Sequence, residues 1–224
     1  MRSSRLLTRL ALGVTAAVAG AVALAPAASA STSHHHPAKS AALRTSSLAA
    51  VLLADKSGFD HNGADYDVLT AAVLAVLKAK PASKVSVLTD GSVALTAFLP
   101  NDRAFGKLVK DLTGKAPASE KATFDAVAGL GIPTVETVLL YHVVPGATIT
   151  AKAALGSDGA KLTTAQGGTV TVDVDTCSHH APRVTLADAD TNSRDPKVIA
   201  FDINKGNKQI AHGIDRVLRP IDLP

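Results

Sequence analysis

Residues Leu95 to Phe105 read LTAFLPNDRAF. The apolar run of Leu95, Ala97, Phe98 and Leu99 predicts a strand, and Pro100, with no N–H for a continuing ladder, stops it. Asn101 is a helix-capping residue type, and Phe105, Leu108, Val109 and Leu112 then recur at 3.6-residue spacing, which predicts an amphipathic helix. Asp102 falls in the first turn of that helix, at the positive end of its dipole. Strand, stop, cap and helix in eleven residues make a corner of the core, with the polar atoms of Asn101 and Asp102 expected at an exposed bend. Two later stretches are its companions: Leu139 to Gly146 (LLYHVVPG) and Ile210 to Pro220 (IAHGIDRVLRP).

Together the three stretches resemble a fasciclin domain. The family's first motif, an apolar strand followed by Phe-x-Pro-(Thr/Ser)-(Asn/Asp)-x-Ala-Phe, is met by Phe98, Pro100, Asp102, Ala104 and Phe105, with Asn101 in the Thr/Ser place. The central Tyr-His pair is Tyr141-His142. The closing motif, Asn-Gly-x-x-His-x-Ile-Asp-x-Val-Leu-x-Pro, is met by His212, Ile214, Asp215, Val217, Leu218 and Pro220. It departs at Lys208 and Gln209, where the family has Asn-Gly, and at Gly213, which is usually apolar. The resemblance runs from about Thr45 to Asp222 in the family's order. It implies an α+β fold, a wedge-shaped β-sandwich with helices packed along one side, and adhesion as the activity.

At the N-terminus, Arg2, Arg5 and Arg9 precede an apolar stretch from Leu10 to Leu24 and the small-x-small signal Ala28-Ser29-Ala30. Residues 1–30 therefore read as a secretory signal peptide cut after Ala30, too short in its apolar part for a membrane span. Three arginines and no acid precede that cut, which leaves 20 basic and 19 acidic side chains and a net charge of +1. Nucleic acid is not indicated: the mature chain is nearly neutral, and five Phe, two Tyr and no Trp offer few stacking platforms. Cys177 is the sole cysteine, so an exported chain must rely on its apolar core, not on a disulfide. Residues 31–44, rich in Ser and Ala with His34, His35 and His36, read as a mobile tail before a domain at 45–224. No second repeat or C-terminal span is expected.

Within the domain, Leu48 to Ala54 predicts a helix. A Gly- and Asp-rich connection over Phe59 to Asp67 leads to another, whose Leu69, Ala72, Val73, Val76 and Leu77 form one face up to the stop at Pro81. Val85–Leu88 and Val93–Leu99 predict strands of a hairpin about Asp90-Gly91. A helix with Phe124, Val127 and Leu130 follows, and a further one starts at Pro133 and runs into Tyr141-His142. Val170, Val172 and Val174 alternate with polar residues as a half-buried strand. Val184 with Leu186, and Val198 to Ile203, add two more. Early helices and late strands indicate α+β.

Tyr141 and His142 have two readings: a recognition site, as the resemblance implies, or a ring packed in the core beside a hydrogen-bonded histidine. Adjacent helical residues point about 100° apart, so the two cannot face the same way. Asp215 is expected to hold backbone or an arginine such as Arg216, locking the last strands onto the corner. Cys177, His179 and His180 are zinc-ligand types, but neighbours in sequence seldom converge on one tetrahedral centre, and no metal site is assigned to them or to His34–His36. Asp188-Ala-Asp190-Thr-Asn192 opens like a calcium loop, yet Ser193 and Ile199 occupy the places that need Gly and a bidentate acid, leaving an oxygen-rich surface turn.

No Gly-x-Ser-x-Gly elbow, His-Glu-x-x-His or phosphate loop occurs. The expectation is a secreted, single-domain bacterial fasciclin-like module, not an enzyme and without a cofactor, extracellular and wall-associated or free. It would bind a cell-surface or matrix protein or a glycan through Asn101, Asp102, Tyr141, His142 and the Asp188–Asp195 turn. The competing expectation is a secreted carrier of a small apolar ligand or metal ion, which needs an apolar pocket between sandwich and helices.

Overall fold

The corner at Pro100 joins the two halves of the core. The computed structural model describes residues 42–177 and 181–221. Strand β1 (Leu95–Pro100) ends at the proline, and α3 (Asp102–Thr113) starts from Asn101, whose Oδ1 accepts the Ala104 N–H at 2.9 Å. Ahead of them lie α1 (Leu48–Leu52) and α2 (Asp67–Ala79). Behind them come α4 (Glu120–Ala128), α5 (Ile132–Tyr141), β2 (Val143–Pro145) and α6 (Ala151–Leu155). The rest is strands: β3 (Lys161–Thr163), β4 (Thr169–Asp175), β5 (Arg183–Ala187), β6 (Val198–Ile203) and β7 (Gln209–Ile214).

The sheet order is β2-β1-β7-β6 in one layer and β3-β4-β5 in the other. Strands β1 and β7 pair in parallel from Leu95↔Gln209 to Pro100↔Ile214, so the two outer motifs of the sequence lie side by side. Both strands are buried at every position. Strand alternation explains why. Leu95, Ala97 and Leu99 face a core shared with α2, α3, α4 and α5, whereas Phe98 faces a second core with Tyr141, Val170, Val172, Val184 and Leu186 of the other sheet. Ala211 and Ile214 of β7 divide between the two cores in the same way. The α+β sandwich with helices on one side is thus the observed fold.

Several local expectations are corrected. Residues Lys84–Thr89 form a 3-10 helix, not a strand, and Ser83 caps it by accepting the Val85 N–H at 3.1 Å. Val85 and Leu88 are buried because a three-residue turn brings i and i+3 to one side. Asp90-Gly91 is therefore no hairpin, and β1 begins at Leu95 while Val93 stays exposed. Leu112 and Leu130, expected in buried faces, are exposed.

Candidate functional site

Helix α5 carries Val135 and Leu139 on its buried side and delivers Tyr141 and His142 to the junction of the two cores. The Tyr141 hydroxyl donates to the Thr169 carbonyl at 2.8 Å. Its ring lies so close to Gly168 that a Cβ there would meet Cε2 at 2.8 Å. His142 uses both ring nitrogens on backbone: Nε2 accepts the Leu218 N–H at 2.9 Å, so Nδ1 carries the proton and donates to the Val138 carbonyl at 2.7 Å. Burial pushes the His142 pKa down to about 4 against the upward pull of that carbonyl, so the ring is neutral at pH 7. His212 of β7 is bound similarly, with Nδ1 accepting from Asp202 N–H at 3.3 Å and Nε2 donating to the Ile149 carbonyl at 2.9 Å. Burial lowers its pKa as well.

Asn101 and Asp102 are buried, contrary to the exposed bend expected of them. The reason is the company they keep: Asp102 Oδ1 accepts the N–H of Val68 at the start of α2, at 3.0 Å, and the connection before α2 covers the corner. Tyr141 and His142 are equally buried. All four side chains are thus held within the fold.

The remaining motif residues hold the frame. Phe98 and Ile214 sit in the inter-sheet core, Ala104 and Phe105 in the helical core, and Pro100 pairs with Ile214 across the parallel strands. Asp215 accepts the Lys197 N–H at 2.7 Å and pairs with Arg194 at 3.0 Å, while Arg216 reaches Asp111 instead. The departures from the family pattern have local reasons. Gln209 is fully buried, accepting from Leu48 N–H at 2.8 Å and donating to the carbonyls of Val87 and Asp90 at 2.7 and 2.8 Å. Lys208 bonds the carbonyls of Arg44 (through its N–H) and Ser92. At Gly213 the Tyr66 hydroxyl occupies the space a Cβ would need.

The Asp188–Asp195 turn lies at the surface, with Ala189, Thr191, Asn192 and Arg194 exposed, but Asp190 turns inward. It is 2% exposed and receives Arg219 Nη1 at 2.7 Å, with the other guanidinium nitrogen on Asp111 of α3. Asp188 accepts the Arg219 N–H at 2.8 Å. Cys177 is exposed beside Asp175, whose carboxylate raises its pKa; His179 and His180, the 1–30 leader and His34–His36 lie outside the described residues.

Two features were missed by reading the sequence. One is an open apolar groove of about 370 Å³ between α3, the start of α5 and the C-terminal segment, walled by Leu112, Leu130, Pro133, Val138, Val217 and Ile221. Its signal was the apolar residue left over on each face: Leu112 and Leu130 remain exposed after the core is filled. The other is a knot of carboxylates at the starts of α2, α3 and α4, announced by Asp55, Asp60, Asp65 and Asp67 in a short connection. Among the described residues no single helix is long and apolar enough to cross a membrane.

Among solved structures, a FAS1 domain pair from the insect cell adhesion molecule Fasciclin I is similar at 15% identity and a TM-score of 0.42, over 68% of this chain and 43% of that one. The match thus spans less than half the length of that solved chain. No curated protein matches. The fasciclin domain family model matches residues 69–220, which take in the β1–α3 corner, the Tyr141-His142 pair and β7. With more than half of its length so matched, the chain belongs to the fasciclin domain family.

Proposed function

We propose that this protein is a secreted, non-catalytic interaction module that holds an extracellular protein partner through the groove between α3, α5 and the C-terminal segment. Members of the family act as adhesion-related modules, and the groove is the observation that carries the reading here. Leu112, Leu130 and Ile221 expose apolar surface along one concave strip rimmed by polar residues, as contact surfaces do. A protein partner suits this lining better than a glycan, because both tyrosines are tied into the fold and no tryptophan is available to stack on a sugar.

Catalysis finds little to work with in the two motif histidines. Each has both nitrogens committed to backbone groups, which leaves neither free as a general base. Carriage of an apolar ligand is limited by space: the cavity between the sandwich and the early helices, lined by Leu52, Tyr66, Thr70, Leu99 and Ile203, holds about 160 Å³, and the one between the sheets, lined by Phe98, Val172, Leu186 and Phe201, about 20 Å³. Drug-sized ligands need on the order of 300 Å³ or more.

The test is retention of the purified protein on cell-wall or matrix material, with Leu112→Glu/Leu130→Glu as the variant. Both residues are exposed, so the thermal midpoint should stay within about 2 °C, while retention falls at least ~10-fold. Equal retention of variant and wild type, at equal stability, would remove the groove from the proposal. No retention of the wild type above an unrelated secreted protein would remove adhesion itself.

A further inference from the structure

Three helices begin at one place. Asp67 is the first residue of α2, Asp102 of α3 and Glu120 of α4. The 55–66 connection folds over these starts. The Asp65 carbonyl accepts the Asp102 N–H at 3.1 Å, the Gly63 carbonyl accepts the Arg103 N–H at 3.0 Å, and Glu120 Oε2 accepts the His61 N–H at 2.9 Å. Carboxylate oxygens of Asp65, Asp102 and Glu120 lie within 4.8 Å of one another, and those of Asp60, Asp65 and Asp67 do the same, so Asp65 belongs to both groups.

What sets this cluster apart from an ordinary acidic surface is burial without partners. Asp102 is 3% exposed and Asp67 8%. Among the described residues, Oδ2 of Asp102, Oδ2 of Asp67 and both oxygens of Asp65 are buried and find no hydrogen-bond donor. Among the described residues, no lysine or arginine is ion-paired with any of the five acids. Bare buried carboxylates are costly unless something neutralises them. One shared proton would serve Asp65 and Asp102 and leave Asp67 Oδ2 bare. Burial, with the neighbouring carboxylates, pushes Asp102 up to about 8 and Asp67 up to about 6, as expected of charges that lack a counterion.

We propose that this cluster binds a hard divalent cation of calcium's size, with Asp65 set between Asp102 and Glu120 on one side and Asp60 and Asp67 on the other. An all-carboxylate donor set selects hard cations over zinc or copper. Oxygens within 4.8 Å of one another can share one cation. The number of carboxylates favours calcium, which takes about six to eight oxygen ligands, over magnesium, which keeps several waters and takes about one or two carboxylates. An open cleft of about 510 Å³ between α3 and the start of α4, bordered by Gly63 and Lys107, leads from solvent to Asp102 and Glu120. The ion would tie the connection to three helix starts at once. This inference is independent of the partner groove, which lies elsewhere on α3.

Calorimetric titration of the purified, chelator-treated chain with calcium chloride tests it, together with melts with and without calcium. Expected are saturable binding and a rise in thermal midpoint by mass action. Asp65→Asn should weaken binding at least ~10-fold and abolish the rise. Glu120→Gln, a second variant less central to the fold, should weaken binding too. Asp125→Asn, an exposed acid further along α4, should bind as wild type does. No saturable heat and no shift at millimolar calcium would overturn the site. So would wild-type affinity in both Asp65→Asn and Glu120→Gln. An equal shift from magnesium at the same concentration would overturn the assignment to calcium's size class.

Discussion

His142 shows how a motif residue can be committed to the frame of the fold through both ring nitrogens. Its neutral ring bridges the Val138 carbonyl at the end of α5 to the Leu218 N–H in the C-terminal segment, and only the Nδ1–H tautomer satisfies both. Protonating Nε2 would cost the Leu218 bond and bury a charge. The unfolded chain takes up that proton near pH 6.5 and the folded chain only near pH 4, so the unfolded state binds more protons in between and stability falls as the pH falls. The expected contribution lost across that window is about 3 kcal/mol. Asp67 and Asp188, pushed by burial up to about 6, act with the opposite sign, so the quantity to measure is a difference. In urea melts, the advantage of wild type over His142→Gln should shrink steadily from neutral pH to about pH 4. A constant difference would mean that His142 does not titrate as a buried neutral ring. For His142→Ala at neutral pH, an orphaned Leu218 N–H plus a cavity should cost about 2–4 kcal/mol, read as a lower midpoint with retention tracking the folded fraction.

Among the elements, one guanidinium of the C-terminal segment, that of Arg219, reaches both α3 and the 188–195 turn. Arg219 lies between Asp190, which is buried, and Asp111, which is partly exposed. Arg219→Ala would leave Asp190 buried and unpaired and should cost about 3–5 kcal/mol in equilibrium urea unfolding. Asp111→Ala removes only the wetter partner and should cost about 1 kcal/mol or less. Equal costs would show that the buried pair carries no special weight. Neither partner of Arg219 could be read from the chain, because Asp190 precedes it by 29 residues and Asp111 by 108. Legibility followed sequence distance throughout. The β1–α3 corner was readable because strand, proline and cap act within a few residues, and the Val170–Val174 alternation because one strand records its own burial. Residues Lys84–Thr89 were misread as a strand: Val85, Val87 and Leu88 fit either, and what decides it is Gln209, 119 or more residues away, holding the Val87 and Asp90 carbonyls. Asp102 read as exposed since a first-turn acid usually is, and only the approach of α2 and α4 from elsewhere in the chain buries it.

At the scale of the whole molecule, the frame and the binding face obey different physics. Two cores meeting along the parallel β1–β7 pair make a stiff support, with every side chain of those strands buried. The groove is by contrast small and apolar, and beyond residue 30 the chain carries a net charge near zero. An interface of that size supplies modest affinity by itself, and long-range electrostatic steering adds little to a nearly neutral partner. Two measurements follow from that combination. Retention on the partner surface should change less than about twofold between about 0.05 and 0.5 M salt, since apolar contact is not screened as surface charge is. A tandem fusion of two copies, with a flexible linker long enough to reach neighbouring sites, should raise retention on a dense surface by ~100-fold, through effective concentration and without any new contact. A steep loss of retention with salt would locate binding on a charged face of the molecule instead. A tandem chain that holds no better than one copy would mean that partner sites are sparse or that the module already binds tightly alone, and weak monovalent adhesion would then be the wrong description.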